Sequence, residues 1–131
     1  MKKFLLSAAL VAALSLGACA PELAKVKQLY TIVTGTTVSP QAIVVVANAF
    51  DAIEGTATQY LIYCKANLST PACGAANRRD VIKYVRVGRA ARNQLETYLQ
   101  QSSPAPSAIY NTLVAAVNAL NAEPLTVGVG Q

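Results

Sequence analysis

Apolar residues recur at intervals of three and four over most of the chain, the spacing that places them on one face of an α-helix. The pattern predicts four helical segments, at residues 22–34, 40–67, 78–101 and 107–121. Helix-ending and helix-starting residues separate them: Gly35, then Ser39 before Pro40, and later the sequence SSPAPS. Because the connections are short, consecutive helices are expected to be antiparallel neighbours. The sequence therefore predicts an all-α fold, a small antiparallel up-down bundle of three to four helices.

The second segment carries the longest apolar stripe and one weak point. Gly55, between Glu54 and Thr56, is the position at which this helix either bends or folds back, or else continues unbroken. The residues predicted to face the core are Ile43, Val46, Phe50, Ile53, Ala57, Tyr60, Leu61, Cys64 and Leu68.

The third segment separates apolar from basic residues most clearly, with Asn77 as its predicted N-cap. Its predicted inner face consists of Val81, Tyr84, Val85, Val87, Gly88, Ala91, Leu95, Tyr98 and Leu99. The opposite face, with Ile82 in its middle, carries Arg78, Arg79, Lys83, Arg86, Arg89 and Arg92. Two interpretations remain open: a solvated surface that keeps the protein soluble, or a contact surface for anionic lipid headgroups, an acidic polymer or an acidic protein.

The fourth segment is short, and the end of the chain has no periodic face. Its predicted inner residues are Ile109, Leu113, Ala116, Val117 and Leu120, and its predicted outer residues are Asn111, Asn118 and Asn121. Residues 122–131, with Gly128 and Gly130, are expected to form a flexible tail.

The unequal lengths of the segments predict an exposed apolar patch. At 1.5 Å per residue the two central helices are about 35 to 40 Å long and the outer two about half that. Both short helices then cover the same half of the central hairpin, unless the second segment folds back at Gly55. The patch left partly uncovered would comprise Tyr60, Leu61, Ile62, Tyr63, Val81 and Tyr84. A patch of this kind favours an envelope protein partner or a second copy of the chain.

The first residues are typical of an export signal. Lys2 and Lys3 precede an apolar run over residues 4–16, which is short for a membrane-spanning helix. The sequence Leu16-Gly17-Ala18-Cys19 resembles the lipobox of bacterial lipoproteins, in which leucine and two small residues precede an invariant cysteine. Ordinary secretory cleavage after Ala20 is the alternative, but it would leave Pro21 as the first residue. The expected division is a signal peptide at 1–18, a helical domain at 19–121 and the tail.

The resemblance implies that Cys19 carries a thioether-linked diacylglycerol and, after cleavage, an amide-linked acyl chain. It also implies a destination, because Ala20 stands where an Asp would favour retention in the inner membrane. The expected location is the periplasmic face of the outer membrane, with a soluble periplasmic or secreted protein as the alternative. The mature part of the chain resembles no recognised family.

The cysteine count agrees with this interpretation. Three cysteines would leave an odd thiol in an oxidising compartment, and lipidation of Cys19 removes it. Cys64 and Cys73 then remain, separated by eight residues that include Asn67 and Pro71. A structural disulfide at a helix–helix turn is favoured over a redox-active pair or a metal site, and closing such a loop should contribute about 2.5 to 3 kcal/mol.

Few residues are suited to catalysis. The chain has no His, and no phosphate-binding glycine pattern is present. Asp51 and Glu54 are spaced to meet as a carboxylate pair, but a solvated helix face is the favoured interpretation. The sequence therefore predicts no enzymatic activity, no cofactor and no metal.

The charge balance is mild. Loss of Lys2 and Lys3 reduces eleven basic residues to nine, against six acidic ones, which leaves a charge near +3 and does not favour nucleic-acid binding. The expected function is a non-enzymatic structural or interaction subunit of the cell envelope. The alternative is a helical module that binds a lipid or a small apolar ligand.

Overall fold

The computed structural model describes residues 30–126 and contains three α-helices in that range. They are α1 (Pro40–Ala66), α2 (Ala75–Gln100) and α3 (Ser107–Ala122), with a 3-10 turn at Pro71–Cys73. Two short strands, β1 (Thr37–Val38) and β2 (Ala105–Pro106), pair antiparallel and were not predicted. The predicted helical class is confirmed.

The first helix, α1, begins and ends close to the predicted positions. The Ser39 hydroxyl accepts a hydrogen bond from the Ala42 amide, and Pro40 is the first helical residue, as expected at an N-terminus. The helix runs unbroken through Gly55, which is exposed and has open space around it. Leu68 was predicted to face the core, but the helix ends before it and its side chain is 59% exposed.

The second helix, α2, begins three residues earlier than predicted. Gly74 is its N-cap, and the preceding 3-10 turn leads the chain directly into the helix. Asn77 is therefore inside the first turn, where its side-chain amide donates to the Ala72 carbonyl at 3.1 Å, so the prediction that it caps the helix was wrong. Val87 was also misplaced, because its side chain is 42% exposed.

Two small connections tie the ends of the helices together. The Cys64–Cys73 disulfide joins the end of α1 to the 3-10 turn just before α2, whereas the β1–β2 pair brings the starts of α1 and α3 together. The three helices enclose one core whose largest fully buried side chains are Tyr60, Phe50, Ile43, Ile53, Leu95, Leu113 and Leu120. Leu125, from the predicted tail, is also buried in this core.

The predicted first helix is absent where the structure describes it. Tyr30 to Thr34 is not helical, and both Tyr30 and Val33 pack against the core at the edge of α3. The backbone amides of Tyr30 and Val33 donate hydrogen bonds to side chains of α3, where a helix would pair them with its own carbonyl groups. Several predictions lie outside the described residues: the signal peptide at 1–18, Cys19, the rest of the segment at 22–34, and the tail from residue 127.

Candidate functional site

The disulfide organises one end of the molecule. Cys64 and Cys73 are bonded and fully buried, with their Cα atoms 5.2 Å apart, which confirms the predicted pairing. The Tyr60 hydroxyl donates to the Ala72 carbonyl at 2.6 Å, tying α1 to the 3-10 turn. Burial raises the pKa of Tyr60, and the nearby Glu123 carboxylate raises it further. We call the part of α1 and α2 that adjoins this turn the disulfide half.

An open groove lies on the outer side of the disulfide half. It has a volume of about 350 Å³ and is lined by Leu61, Lys65, Leu68, Arg78 and Ile82. Three of these five side chains are apolar, and the other two are cationic. The Arg78 guanidinium is held in position by a hydrogen bond from Nε to the Cys73 carbonyl at 3.0 Å. We call this surface the basic groove.

The predicted basic face of α2 divides into two parts. Arg89 is paired with Glu54 of α1, to which its Nε donates at 2.7 Å. Arg92 donates to both carboxylate oxygens of Asp51 at 3.2 Å and also pairs with Glu96 on its own helix. The hydrogen bond with Asp51 is the main cause that raises the pKa of Arg92. These two arginines therefore belong to ion pairs between helices.

The remaining predicted cations have no acidic partner among residues 30–126. Arg79, Lys83 and Arg86 are exposed on α2, and we call these three residues the α2 stripe. The Lys83 ammonium lies 5.7 Å from the centre of the Tyr84 ring, a distance compatible with a weak cation–π contact. The α2 stripe begins beside Arg78 and continues the positive charge of the basic groove along the helix.

The predicted partner patch is only partly at the surface. Tyr60 and Val81 are fully buried, so their assignment to an exposed patch was wrong. Leu61, Tyr63 and Tyr84 are half-buried and pack against the core, whereas Ile62 is 60% exposed. The physical reason is the position of α3. The C-terminal end of this helix and the following Leu125 reach the disulfide half and cover apolar side chains there that the sequence had predicted to be exposed.

Two of the asparagines predicted to face solvent instead hold the chain that precedes β1. The Asn118 side chain accepts from the Tyr30 amide at 3.0 Å and donates to the Tyr30 carbonyl at 2.9 Å. Asn111 makes the same pair of bonds with Val33, at 2.9 Å each. Asn121 is half-buried, and its amide nitrogen has no hydrogen-bond partner among the described residues.

The spacing of the two asparagines along α3 matches the spacing of the two residues that they bind. Seven helical residues rise about 10.5 Å, close to the length of three extended residues. Asn111 and Asn118 therefore coincide with Val33 and Tyr30 when the segment runs antiparallel to α3. Sequence reasoning missed these roles, and also the place of Lys65 and Leu68 in the basic groove. The available signal was three asparagines on one side of an otherwise apolar helix.

The two carboxylates that the sequence spaced as a possible pair lie apart in function within residues 30–126. Asp51 and Glu54 each bind a different arginine of α2 and do not form a carboxylate pair. No group of three or more metal-ligating side chains occurs in this range. None of the helices described is both long and apolar enough to cross a membrane.

Comparison of the chain with protein-family models, with curated proteins and with solved structures found no match.

Proposed function

We propose that this chain is a lipid-anchored protein of the bacterial cell envelope that acts by binding another envelope component and catalyses no reaction. The observation that carries the proposal is the pairing of Cys64 with Cys73. It accounts for two of the three cysteines and leaves Cys19, the last residue of the lipobox-like sequence, as the third. A disulfide is typical of an oxidising compartment such as the periplasm, and lipidation of Cys19 would account for the third cysteine.

We further infer that the described helices form the antiparallel up-down bundle that the sequence predicts. The disulfide reverses the chain between α1 and α2, and the β1–β2 pair returns the start of α3 to the start of α1. Such a bundle leaves the outer faces of α1 and α2 available for a partner.

Acylation of Cys19 is tested by labelling with a palmitate analogue in a Gram-negative host. The full-length chain should incorporate the label and partition into the outer-membrane fraction. A Cys19→Ser variant should do neither, because no thiol remains to accept the diacylglycerol. Unchanged processing, labelling and membrane partition in Cys19→Ser would overturn the proposal.

The binding role is tested by crosslinking the anchored protein in its native envelope. Ile62 is the exposed member of the predicted patch, so Ile62→Ser should weaken a specific crosslink without unfolding the core. Val45→Ser is the matched control, since Val45 is 56% exposed near the other end of α1. A monomer that instead co-purifies with a small apolar ligand would favour the alternative function, a ligand-binding module.

A further inference from the structure

We propose that the basic groove and the α2 stripe form the surface with which the folded domain lies on an anionic phospholipid membrane. The disulfide half is then the membrane-proximal part of the molecule. The orientation rests on the proposed lipid anchor. The affinity for anionic lipid does not, because it depends only on residues of the folded domain.

The first argument is the separation of charge. At the disulfide half, five cations have no acidic partner among the described residues: Lys65, Arg78, Arg79, Lys83 and Arg86. The acidic groups of α1 and the last part of α2 are paired with Arg89 and Arg92. Each basic residue close to an anionic bilayer adds to the electrostatic attraction, and five of them act together.

Asp80 is the acidic residue of α2 nearest to these cations: it lies about 60° from Lys83 around the helix axis, and no ion pair joins the two. Asp80 is two residues before Ile82, so at 100° per residue the two side chains point about 160° apart around the helix axis. Asp80 lies within electrostatic reach of Glu123, which follows α3. One acidic residue at the edge of the α2 stripe thus stands against five cations, and the side of α2 that carries Arg78 and Ile82 is left positive.

The second argument is the apolar content of the same surface. Leu68 and Ile82, which line the basic groove, are 59% and 37% exposed. Ile62, 60% exposed, lies next to the groove residue Leu61, about 100° further around α1. Apolar side chains set among Lys and Arg are typical of surfaces that insert shallowly between lipid headgroups. The long stems of Lys65 and Arg78 can lie along the apolar floor while their charged ends reach phosphate.

The third argument is the path of the chain. Tyr30 lies beside Asn118, four residues before the last residue of α3, so the first residue that the structure describes is near the C-terminal end of that helix. That end lies at the disulfide half, where Glu123 is close to Tyr60. The eleven residue steps from Cys19 to Tyr30 span at most about 40 Å, so an acylated Cys19 keeps this half within reach of the bilayer.

The test uses residues 19–131 with Cys19→Ser, which contain the entire described core and carry no acyl chain. The protein is sedimented with phosphatidylcholine vesicles, with and without phosphatidylglycerol. We expect binding to the anionic vesicles only, and at least tenfold weaker binding when salt is raised from about 0.1 M to about 1 M.

Two variants of equal net charge identify the surface. Arg79→Gln/Lys83→Gln/Arg86→Gln removes the α2 stripe and should weaken binding at least tenfold. Ala108→Glu/Thr112→Glu/Ala115→Glu makes the same change of charge at exposed positions of α3 and should weaken it far less. Equal losses would mean that net charge alone attracts the protein, and the proposal would be overturned.

Insertion is measured with a fluorescent probe, since the chain contains no Trp. Emission of Leu68→Trp should shift to the blue on addition of phosphatidylglycerol vesicles, whereas Val45→Trp, at a similarly exposed position outside the groove, should not respond. Absence of binding to anionic vesicles would overturn the proposal, as would saturation by one lipid molecule in detergent, which indicates a ligand pocket. Neither result affects the palmitate labelling of Cys19, so the two proposals fail separately.

Discussion

Gly88 is a position in α2 where the packing of Phe50 leaves no room for a side chain. It lies in the interior of α2 against the ring of Phe50, and both residues are buried. A Cβ atom at position 88 would overlap that ring, lying 2.7 Å from Cζ and closer still to Cε2. The glycine thus allows an aromatic side chain of α1 to approach the backbone of α2, so its role is close packing of two helices.

We predict that Gly88→Ala destabilises the fold although alanine is the better helix former. The helix preference for alanine is worth about 1 kcal/mol, whereas overpacking a full core costs about 1 to 3 kcal/mol. Urea denaturation should show a net loss. In a Phe50→Leu background, Gly88→Ala should lower the free energy of unfolding by less than it does in the wild type, because the ring that it would contact is gone.

Gly55→Ala is the matched control for this substitution. Gly55 is in the interior of α1 and exposed, and a methyl group at this position would meet no other atom within 4 Å outside its own helical turn. The same change there should stabilise the protein by about 0.5 to 1 kcal/mol. Equal effects of the two alanines would contradict the packing role of Gly88.

Glu123 should make the stability of the protein depend on pH. Burial raises its pKa, and the neighbouring Asp80 raises it further. The folded state then holds this proton more tightly than the unfolded chain, so the free energy of unfolding falls as pH rises from the ordinary glutamate range through the raised pKa. Glu123→Gln should therefore be more stable than the wild type at pH 7, with the difference shrinking towards pH 4.

Urea denaturation at both pH values measures this difference. Glu96→Gln provides a comparison, since it removes a partner of Arg92 at a half-exposed site and should cause a small loss at neutral pH. A stabilisation by Glu123→Gln that is equally large at both pH values would contradict an electrostatic origin.

At the scale of elements, α3 both contributes to the core and holds an extended segment with its asparagines. One asparagine replaces the backbone partner that a β-strand would supply, because a side-chain amide offers both a donor and an acceptor. Two such pairs satisfy the amide and carbonyl groups of Tyr30 and Val33 without a sheet.

We predict that Asn118→Ala releases Tyr30 while Val33 stays bound. Loss of two hydrogen bonds, each worth about 1 kcal/mol net, should accelerate exchange of the Tyr30 amide at least tenfold. Hydrogen exchange followed by NMR measures this, and Asn111→Ala should give the reverse pattern. Asn48→Ala, at an exposed position of α1, should change neither amide. Fast exchange at Tyr30 in the wild type would contradict the pairing.

Predictability differed among elements for physical reasons. The start of α1 was predictable because Ser39 and Pro40 are local signals, and the core stripe from Ile43 to Cys64 follows from helical spacing alone. The start of α2 was misjudged because Gly74 lacks a capping side chain and the 3-10 turn leaves no periodic signal.

Long-range partners explain the remaining differences. Residues 30–34 have a helical pattern, but Tyr30 bonds to a residue 88 positions away, which local spacing cannot reveal. The six cations of α2 form one face on an isolated helix, yet Arg89 and Arg92 pair with α1. The helical spacing placed Leu68 on the core face because it assumed that α1 continues to that residue. Since α1 ends at Ala66, Leu68 instead lines the basic groove.

For the whole molecule, the disulfide stabilises the connection between the two long helices. Cys64→Ala/Cys73→Ala should lower the free energy of unfolding by about 2.5 to 3 kcal/mol, because the open loop gains entropy in the unfolded chain. Thermal denaturation followed by circular dichroism measures the loss, and Ser69→Ala in the same loop should have little effect. Retention of wild-type stability by the double variant would contradict this role.

The asparagine pairs also determine how the domain would bear a load. The segment from Tyr30 to Val33 runs along α3, so a pull on Tyr30 in the direction of that segment acts parallel to the helix axis. Four hydrogen bonds, two at Tyr30 and two at Val33, then oppose the force together in shear and do not peel apart one at a time. In a tethered protein such a pull would be transmitted to α3, which packs against both other helices, before it reached the short β1–β2 pair.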